Sequence, residues 1–213
     1  MALPKTTLLV VRHGETEWNA QQRFQGHGDS PLTPKGRSDV RALGRRLKQI
    51  DFERLFSSDL GRARETAALI AEQTGHRIVS DPLLRERHYG VLEGLTIPEI
   101  KSQYAECLQK LGEGDPDMII PQGESHRQLY DRNIRFVERF MRDHAGTTAL
   151  LVVHGGVLDS LLRFVTGLPL DYPRCFTAVN ASLNIFAHGK YYRTHRWVVE
   201  TWGDLAHLTC PAS

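Results

Sequence analysis

The sequence predicts an α/β fold in three layers, α-β-α, with helices on both faces of a mostly parallel sheet. Its 213 residues suit a single domain, residues 1–213, because domains commonly contain about 100 to 200 residues. Apolar residues make up 40% and charged residues 24% of the chain, as is typical of a globular protein. Short β-branched apolar runs alternate with segments of helical periodicity, which indicates parallel strands joined by right-handed crossovers.

The first predicted strand and helix are separated by a long loop. Thr7–Val11 is β-branched and Leu-rich and is soon followed by Gly14, so it predicts a buried strand and then a loop to about Leu32. A helix follows, because Thr33 suits the N-cap and Pro34 the first helical position. One face of this helix is apolar and carries Val40, Leu43, Leu47 and Ile50.

Two further strands and a second helix are predicted next. Leu55–Phe56 predicts a short strand, and Arg62–Thr74 predicts a helix that Gly75 ends. Ile78–Val79 indicates a third strand. Asp81–Gly94 combines proline, glycine and charged residues without periodicity, so we interpret it as a loop of functional length.

Capping signals mark the helices in the middle of the chain. In a capping box, two residues three positions apart each bind the backbone N–H of the other. The first box predicts a helix to about Leu111, and the second predicts a long helix that ends near Ala145. Gly112–Gly123 is predicted to link them. The two boxes are Thr96-x-x-Glu99 and Ser125-x-x-Gln128.

The last third of the chain predicts a strand, a helix and a hairpin. Ala149–Val153 is a second buried apolar run, and Val157–Thr166 is predicted to form the helix that follows it. Two strand-like segments on either side of His188-Gly189-Lys190 predict a closing antiparallel hairpin, and they are Ser182–Ala187 and Tyr191–Val199.

Charge, hydropathy and cysteine content narrow the functional class. The 27 Lys and Arg residues against 25 Asp and Glu residues give a formal net charge of +2, which is too small to favour nucleic acid as a partner. No apolar run reaches the roughly 18 residues of a membrane span, and the N-terminal run is too short for a signal peptide. We expect a soluble cytoplasmic protein. The sequence is compatible with a homodimer. The widely spaced cysteines suit reduced thiols, namely Cys107, Cys175 and Cys210.

Two histidines directly follow buried strands and directly precede glycines. The carboxyl ends of parallel strands meet at one edge of a sheet, and ligands bind at that edge in open α/β folds. Glycine beside each histidine permits close approach of the backbone. A single His-Gly pair would suit an ordinary histidine in a turn. Two such pairs in matching positions favour a ligand-binding site. The two segments are Val11-Arg12-His13-Gly14 and Val153-His154-Gly155.

Arginines near this edge predict an anionic ligand, and phosphate fits best. Arg12 adjoins the first histidine, and Arg62 begins a helix whose N-terminus also favours an anion. Asn19 and the Gln25-Gly26 turn offer further polar groups. No metal-binding or nucleotide-binding motif accompanies them, so the sequence predicts neither a metal nor a cofactor. We therefore expect arginines and histidines to stabilise the negative charge of a transferred phosphoryl group.

Four motifs occur in order along the chain, namely Arg12-His13-Gly14-Glu15-Thr16, Ser57-Ser58-Asp59-x-x-Arg62-Ala63, Leu84-x-Glu86-x-x-x-Gly90-x-x-Glu93-Gly94 and Val153-His154-Gly155-Gly156. Together they resemble the signatures of the histidine phosphatase superfamily, in its phosphoglycerate-mutase-like branch. The resemblance extends from Leu8 to about Phe186. It implies the phosphoglycerate-mutase-like form of the three-layer fold.

The resemblance implies covalent catalysis through a phosphohistidine. Neutral His13 would attack phosphorus, and a backbone carbonyl bound to its other ring nitrogen would fix the tautomer. Glu86 would protonate the leaving oxygen and then deprotonate water, and the resemblance selects it over Glu15, Glu17 and Glu93. Arg12, Arg62 and His154 complete the implied catalytic set. The implied phosphate-binding set comprises Arg12, Asn19, Gln25, Gly26, Arg62, His154 and Gly155.

The motifs resemble both isomerases and hydrolases of this superfamily. Glu86–Gly90 resembles the cofactor-dependent phosphoglycerate mutases, but those carry an insert with paired arginines, whereas Gln103–Gln122 contains only Lys110 as a fixed cation. The linker before Gly123-Glu124-Ser125 is similar to the small phosphatases. We predict a metal-independent, histidine-type acid phosphatase acting on a small phosphorylated metabolite, with a phosphoglycerate mutase and a non-catalytic phosphate sensor as alternatives. Candidates for an outer pocket are His88, His126, Arg127 and Met118–Ile120.

Overall fold

The computed structural model describes residues 5–208, which form a mixed α/β fold around a six-stranded sheet. In chain order the elements are β1 (Thr6–Arg12), α1 (Glu17–Ala20), α2 (Pro34–Leu47), β2 (Arg54–Ser57), α3 (Gly61–Thr74), β3 (Ile78–Ser80), α4 (Ile97–Gln103), α5 (Ala105–Gly112), α6 (His126–His144), β4 (Thr148–Val153), α7 (Gly155–Thr166), β5 (Leu183–Tyr191) and β6 (Thr194–Asp204). The strands lie in the order β3-β2-β4-β1-β5-β6. The first four are mutually parallel, and β5 and β6 are antiparallel additions.

Helices α2 and α3 cover one face of the sheet. The hydroxyl of Thr33 accepts a hydrogen bond from the Gly36 N–H at 2.9 Å, so α2 begins where the cap and Pro34 predict. The apolar face of α2 is buried with α3 against β1, β2 and β4, and each such aliphatic side chain contributes about 1.5 to 3 kcal/mol. The buried contacts include Val40, Leu43, Leu47, Ile70, Leu9 and Leu150.

Helices α6 and α7 cover the opposite face. The rings of Phe56 on β2 and Phe136 on α6 meet edge to face, with 5.5 Å between their centroids. Val157 and Leu161 of α7 are buried in the same cluster. With helices packed on both faces, the structure confirms the predicted three-layer α-β-α architecture.

A third apolar cluster lies beside the carboxyl edge of the parallel strands. Its buried members are Leu92, Ile100 and Ile120, which come from the loop before α4, from α4 itself and from the linker before α6. Phe24 and Tyr89 pack against this cluster and also line the large cavity at the sheet edge. The cluster therefore forms one wall of that cavity.

The helices differ from the prediction in two places. The segment to Leu32 contains α1, whose N-cap Thr16 forms a capping box with Asn19. The predicted helix from Thr96 to Leu111 is divided, because Tyr104 adopts φ −139° and ψ 44° between α4 and α5. Both differences concern helical segments and not the strands of the sheet.

The start of α7 and the hairpin turn also differ. His154 is the N-cap of α7, so the helix begins at Gly155 and not at Val157. The turn predicted at His188–Lys190 is wrong, because those residues continue to pair with β6. The chain reverses at Tyr192 and Arg193, where Tyr192 takes the left-handed φ of 56°.

Two of the three cysteines lie in the described part of the chain. Cys107 and Cys175 are free thiols, and Cys210 lies outside the described residues. Within residues 5–208, no helix combines the length and the apolar character needed to cross a bilayer.

Candidate active site

The sheet brings the two predicted histidines together at its carboxyl edge. Strands β1 and β4 are adjacent and parallel, with Arg12 opposite Val153, so the residue after each strand emerges at the same place. The rings of His13 and His154 lie with their centroids 5.2 Å apart. The structure thus confirms that both His-Gly segments meet at one edge.

His13 is held as a neutral imidazole. It is almost fully buried, and Nδ1 lies 2.8 Å from the Gly14 carbonyl, so Nδ1 carries the proton and Nε2 keeps its lone pair. Arg62 Nε donates to that Nε2 at 3.3 Å. Burial, together with the positive charges of Arg62 and Arg12, holds the pKa of His13 well below its ordinary value.

His154 is fully buried next to His13. Its Nε2 lies 2.8 Å from the hydroxyl of Ser58, which belongs to the second motif. Burial lowers the pKa of His154 well below its ordinary value, and the nearby Arg62 charge acts in the same direction. His154 is therefore neutral and can act on a ligand only as a hydrogen-bonding group.

Arg62 is fixed at the start of α3 with nearly all of its side chain buried. Its Nη2 and Nη1 donate to the carbonyls of Gly26 at 2.7 Å and Gly28 at 2.9 Å. Asp29 accepts the backbone N–H of Arg62 at 3.1 Å. Gly26 adopts φ +58°, and this left-handed turn directs its carbonyl to the guanidinium.

Arg12 places a second guanidinium beside the histidines. Its Nη1 donates to the Ala178 carbonyl, which joins the end of β1 to the segment before β5. Burial lowers the pKa of Arg12 to about 10, although the negative charge of Glu86 opposes this shift. Arg12 therefore remains a cation at neutral pH.

Glu86 lies against the N-terminus of α7. The Gly156 N–H donates to both carboxylate oxygens, at 3.1 and 3.0 Å, and the Arg87 N–H donates to Oε1 at 2.8 Å. A Cβ at position 156 would lie 2.2 Å from Glu86 Oε1, so this approach requires glycine.

A cavity of about 960 Å³ opens over these residues. Its polar lining includes Glu86, whereas Glu15, Glu17 and Glu93 are not among the lining residues. Glu93 instead accepts the backbone N–H groups of His27 and Gly28, each at 2.8 Å. Besides Glu86, the predicted site residues on the cavity wall are Arg12, His13, Asn19, Gln25, Gly26, Arg62 and Gly155, whereas His154 is not among the lining residues.

Only one of the four candidates for an outer pocket lines the cavity. His126 does so and lies 2.9 Å from Asp159, whose carboxylate Arg163 also binds. Arg127 instead pairs with exposed Asp117, and neither His88, Arg127 nor Met118–Ile120 is among the lining residues.

The sequence interpretation missed several groups on the cavity wall. Tyr89 belongs to the third motif and could have been chosen from it, and burial raises the pKa of its phenol to about 12. Arg174 lies in the segment between α7 and β5, where no sequence signal identifies it. Among residues 5–208, no group of three His, Cys, Asp or Glu side chains has the arrangement of a metal site.

Comparisons with known proteins agree with the motifs. The histidine phosphatase superfamily (branch 1) profile matches residues 8–205. The probable phosphoglycerate mutase GpmB of Serratia proteamaculans is 41% identical over 206 residues, which are 96% of each chain. The structure of YhfR from Bacillus stearothermophilus has a TM-score of 0.85 at 35% identity and covers 95% of this chain and 99% of its own. The mycobacterial glucosyl-3-phosphoglycerate phosphatase has a TM-score of 0.79 at 28% identity, with coverage of 94% and 99%. This chain belongs to the histidine phosphatase superfamily.

Proposed function

We propose that this protein is a phosphomonoester hydrolase that transfers the phosphoryl group of a small metabolite to His13 and then to water. The observation that carries the proposal is the state of His13. Its proton is fixed on Nδ1 by the Gly14 carbonyl, and its pKa is lowered by burial and by the charges of Arg62 and Arg12. The Nε2 lone pair can therefore attack phosphorus without prior loss of a proton.

Arg12 and Arg62 would hold the oxygens of the transferred group. Both guanidinium groups line the cavity beside His13, and both are pre-oriented by hydrogen bonds to backbone carbonyls. Fixed charges of this kind stabilise a phosphoryl transition state without reorganising during the reaction. Because they supply positive charge that a metal ion supplies in other phosphoryl transferases, we propose a metal-independent reaction.

Glu86 would act as general acid and then as general base. In the first step the bond between phosphorus and the leaving oxygen breaks, and protonated Glu86 gives its proton to that oxygen. In the second step the Glu86 carboxylate takes a proton from water while the water oxygen bonds to phosphorus and the bond to Nε2 breaks. Its place on the cavity wall, which His13 and Arg62 also line, supports this role.

A phosphoglycerate mutase is the second candidate, and two cavity arginines favour it. Arg87 and Arg174 line the cavity outside the phosphate site and could bind a second anion. However, Arg87 already donates to the carbonyls of Glu124 at 3.1 Å and Met118 at 3.3 Å. The exposed Arg174 packs over Phe176, 4.9 Å from its ring centroid. We propose that so loose a hold on a second anion lets the alcohol product leave before rephosphorylation.

The two candidates differ in the fate of 3-phosphoglycerate. We expect the enzyme, given 3-phosphoglycerate and a trace of 2,3-bisphosphoglycerate, to release inorganic phosphate faster than it forms 2-phosphoglycerate. A parallel reaction with p-nitrophenyl phosphate after exhaustive chelation should retain full activity. Formation of 2-phosphoglycerate much faster than phosphate would establish the mutase, and activity lost to chelation and restored by Mg²⁺ would contradict metal independence.

A further inference from the structure

The segment that carries Glu86 is held by Arg132 of α6, a side chain with no part in the steps above. Arg132 Nη1 donates to the Arg85 carbonyl at 2.8 Å and to the Leu83 carbonyl at 3.2 Å. Its Nη2 donates to the carbonyl of Glu86 itself at 3.1 Å. Nη1 also donates to the Pro82 carbonyl at 3.4 Å, so one guanidinium binds four backbone carbonyls within five consecutive residues.

Glu124 fixes the direction of this guanidinium. Its Oε1 accepts from Arg132 Nη2 at 2.6 Å, and the same oxygen accepts the backbone N–H of His88 at 2.9 Å. The two side chains are only 15% and 17% exposed, so solvent screens this ion pair less than an ordinary surface pair. The pair thus ties both ends of the 83–88 segment to the start of α6.

Regular secondary structure does little to hold Glu86. The segment has a single 3₁₀ turn at Pro82–Leu84, and the chain from Arg85 to Tyr89 belongs to no helix or strand. The Glu86 carbonyl is bound by Arg132 and by His27 Nε2 at 2.9 Å, while its carboxylate is bound by Gly156 of α7. Side-chain hydrogen bonds from Arg132 of α6 and from His27 therefore hold the backbone from which this carboxylate reaches α7.

We propose that Arg132 is a positioning residue that sets the distance between the Glu86 carboxylate and the leaving oxygen. This inference rests on the proposed role of Glu86 and extends it to a residue outside the cavity wall. A general acid must lie within hydrogen-bond reach of the oxygen that it protonates. A displacement of about 1 Å from a distant substitution can reduce the rate about 100-fold.

The leaving group reveals whether Arg132 acts through Glu86. Glycerol 3-phosphate has a poor leaving oxygen that needs a proton, whereas p-nitrophenyl phosphate needs little protonation. We expect Arg132→Met to lower kcat/KM for glycerol 3-phosphate by about 10- to 100-fold. It should lower kcat/KM for p-nitrophenyl phosphate by less than about threefold, because kcat/KM reports phosphorylation of His13 and not the later attack of water, in which Glu86 acts on both substrates. Exposed Arg135, on the same helix, provides the matched control, and Arg135→Met should leave both rates unchanged.

A conservative variant separates positioning from stability. Arg132→Lys keeps a charge for Glu124 but loses the planar fork of donors that reaches four carbonyls. We expect this variant to melt at nearly the wild-type temperature and yet retain most of the defect on glycerol 3-phosphate. Full recovery of kcat/KM by lysine would contradict the inference.

A double variant that combines Arg132→Met with Glu86→Gln tests whether the two residues act together, and Glu86→Gln alone is its reference. If Arg132 acts only through Glu86, adding Arg132→Met to Glu86→Gln should change kcat/KM for glycerol 3-phosphate by less than about threefold. Losses that multiply in the double variant, or equal losses of kcat/KM on both substrates, would overturn the inference. If Glu86→Gln alone fails to discriminate between the two substrates, the proposed function of Glu86 fails and the inference fails with it.

Discussion

Burial of His13 determines the pH range in which its nitrogen is a nucleophile. Burial, with Arg62 and Arg12 nearby, holds the pKa of His13 well below the ordinary value of 6.5. The nucleophile is lost only as the pH falls through that lowered pKa, because protonation occupies Nε2. At the other limit, Arg12 loses its charge as the pH rises through its pKa of about 10.

This protonation scheme predicts a broad plateau in kcat/KM. With p-nitrophenyl phosphate, activity should persist below pH 6.5, the ordinary pKa of histidine, and should fall above about pH 10. Arg62→Met should move the acidic limb to higher pH, because it removes a charge that lowers the His13 pKa. Both enzymes are assayed with the same substrate, so ionisation of the substrate affects both pH profiles equally. A difference between the profiles therefore reports ionisation of the enzyme. An acidic limb that stays in place in Arg62→Met would contradict the scheme.

Glycine is needed at position 156 because Glu86 meets the start of α7 there. A Cβ at position 156 would lie 2.2 Å from Glu86 Oε1 and 2.9 Å from Leu129 Cδ2. Gly156→Ala should therefore displace the carboxylate and lower kcat for glycerol 3-phosphate by about 10-fold or more while the fold is retained.

A matched glycine on β5 provides the control for this substitution. A Cβ at Gly189 would meet no side chain closer than 3.7 Å, so Gly189→Ala should keep the wild-type rate. The two variants are compared by kcat from steady-state kinetics and by their melting temperatures. Gly156→Ala with a wild-type kcat on glycerol 3-phosphate would show that Glu86 does not need this close approach.

Helix starts were predicted well where a side chain within three residues determines them. The boxes at Thr96 and Ser125 begin α4 and α6 as expected, because their hydrogen bonds are local. The hairpin turn was misplaced because strand pairing, and not the His188-Gly189-Lys190 sequence, determines where the chain reverses. Helix α1 was missed because it has four residues and its box pairs Thr16 with Asn19.

The site was predictable to the extent that its residues lie next to strand or helix ends. Arg12, His13 and His154 follow from the ends of β1 and β4, and Arg62 follows from the start of α3. Arg132 could not be predicted, because the backbone carbonyls that it binds lie 46 to 50 positions away in the chain. Arg174 likewise reaches the cavity only through the tertiary fold.

The topology of the sheet explains why one chain can build this site from distant segments. Strand β4 lies between β1 and β2, so the ends of three parallel strands are neighbours. His13, Ser58 and His154 follow these ends, and α3 and α7 begin beside them. Helix N-termini at a sheet edge favour bound anions, which suits a phosphoryl group. The fold therefore fixes the geometry before substrate binds.

Trapping of the phosphorylated enzyme tests the assignment of His13 most directly. A ³²P-labelled phosphomonoester, mixed with the enzyme and quenched within milliseconds, should leave label that is stable in base, labile in acid and located on His13. His13→Ala should be folded, unlabelled and slower by at least about a thousandfold, because no other group replaces a covalent nucleophile. Label on Ser58, Asp59 or His154, or full turnover by His13→Ala, would contradict the proposed mechanism.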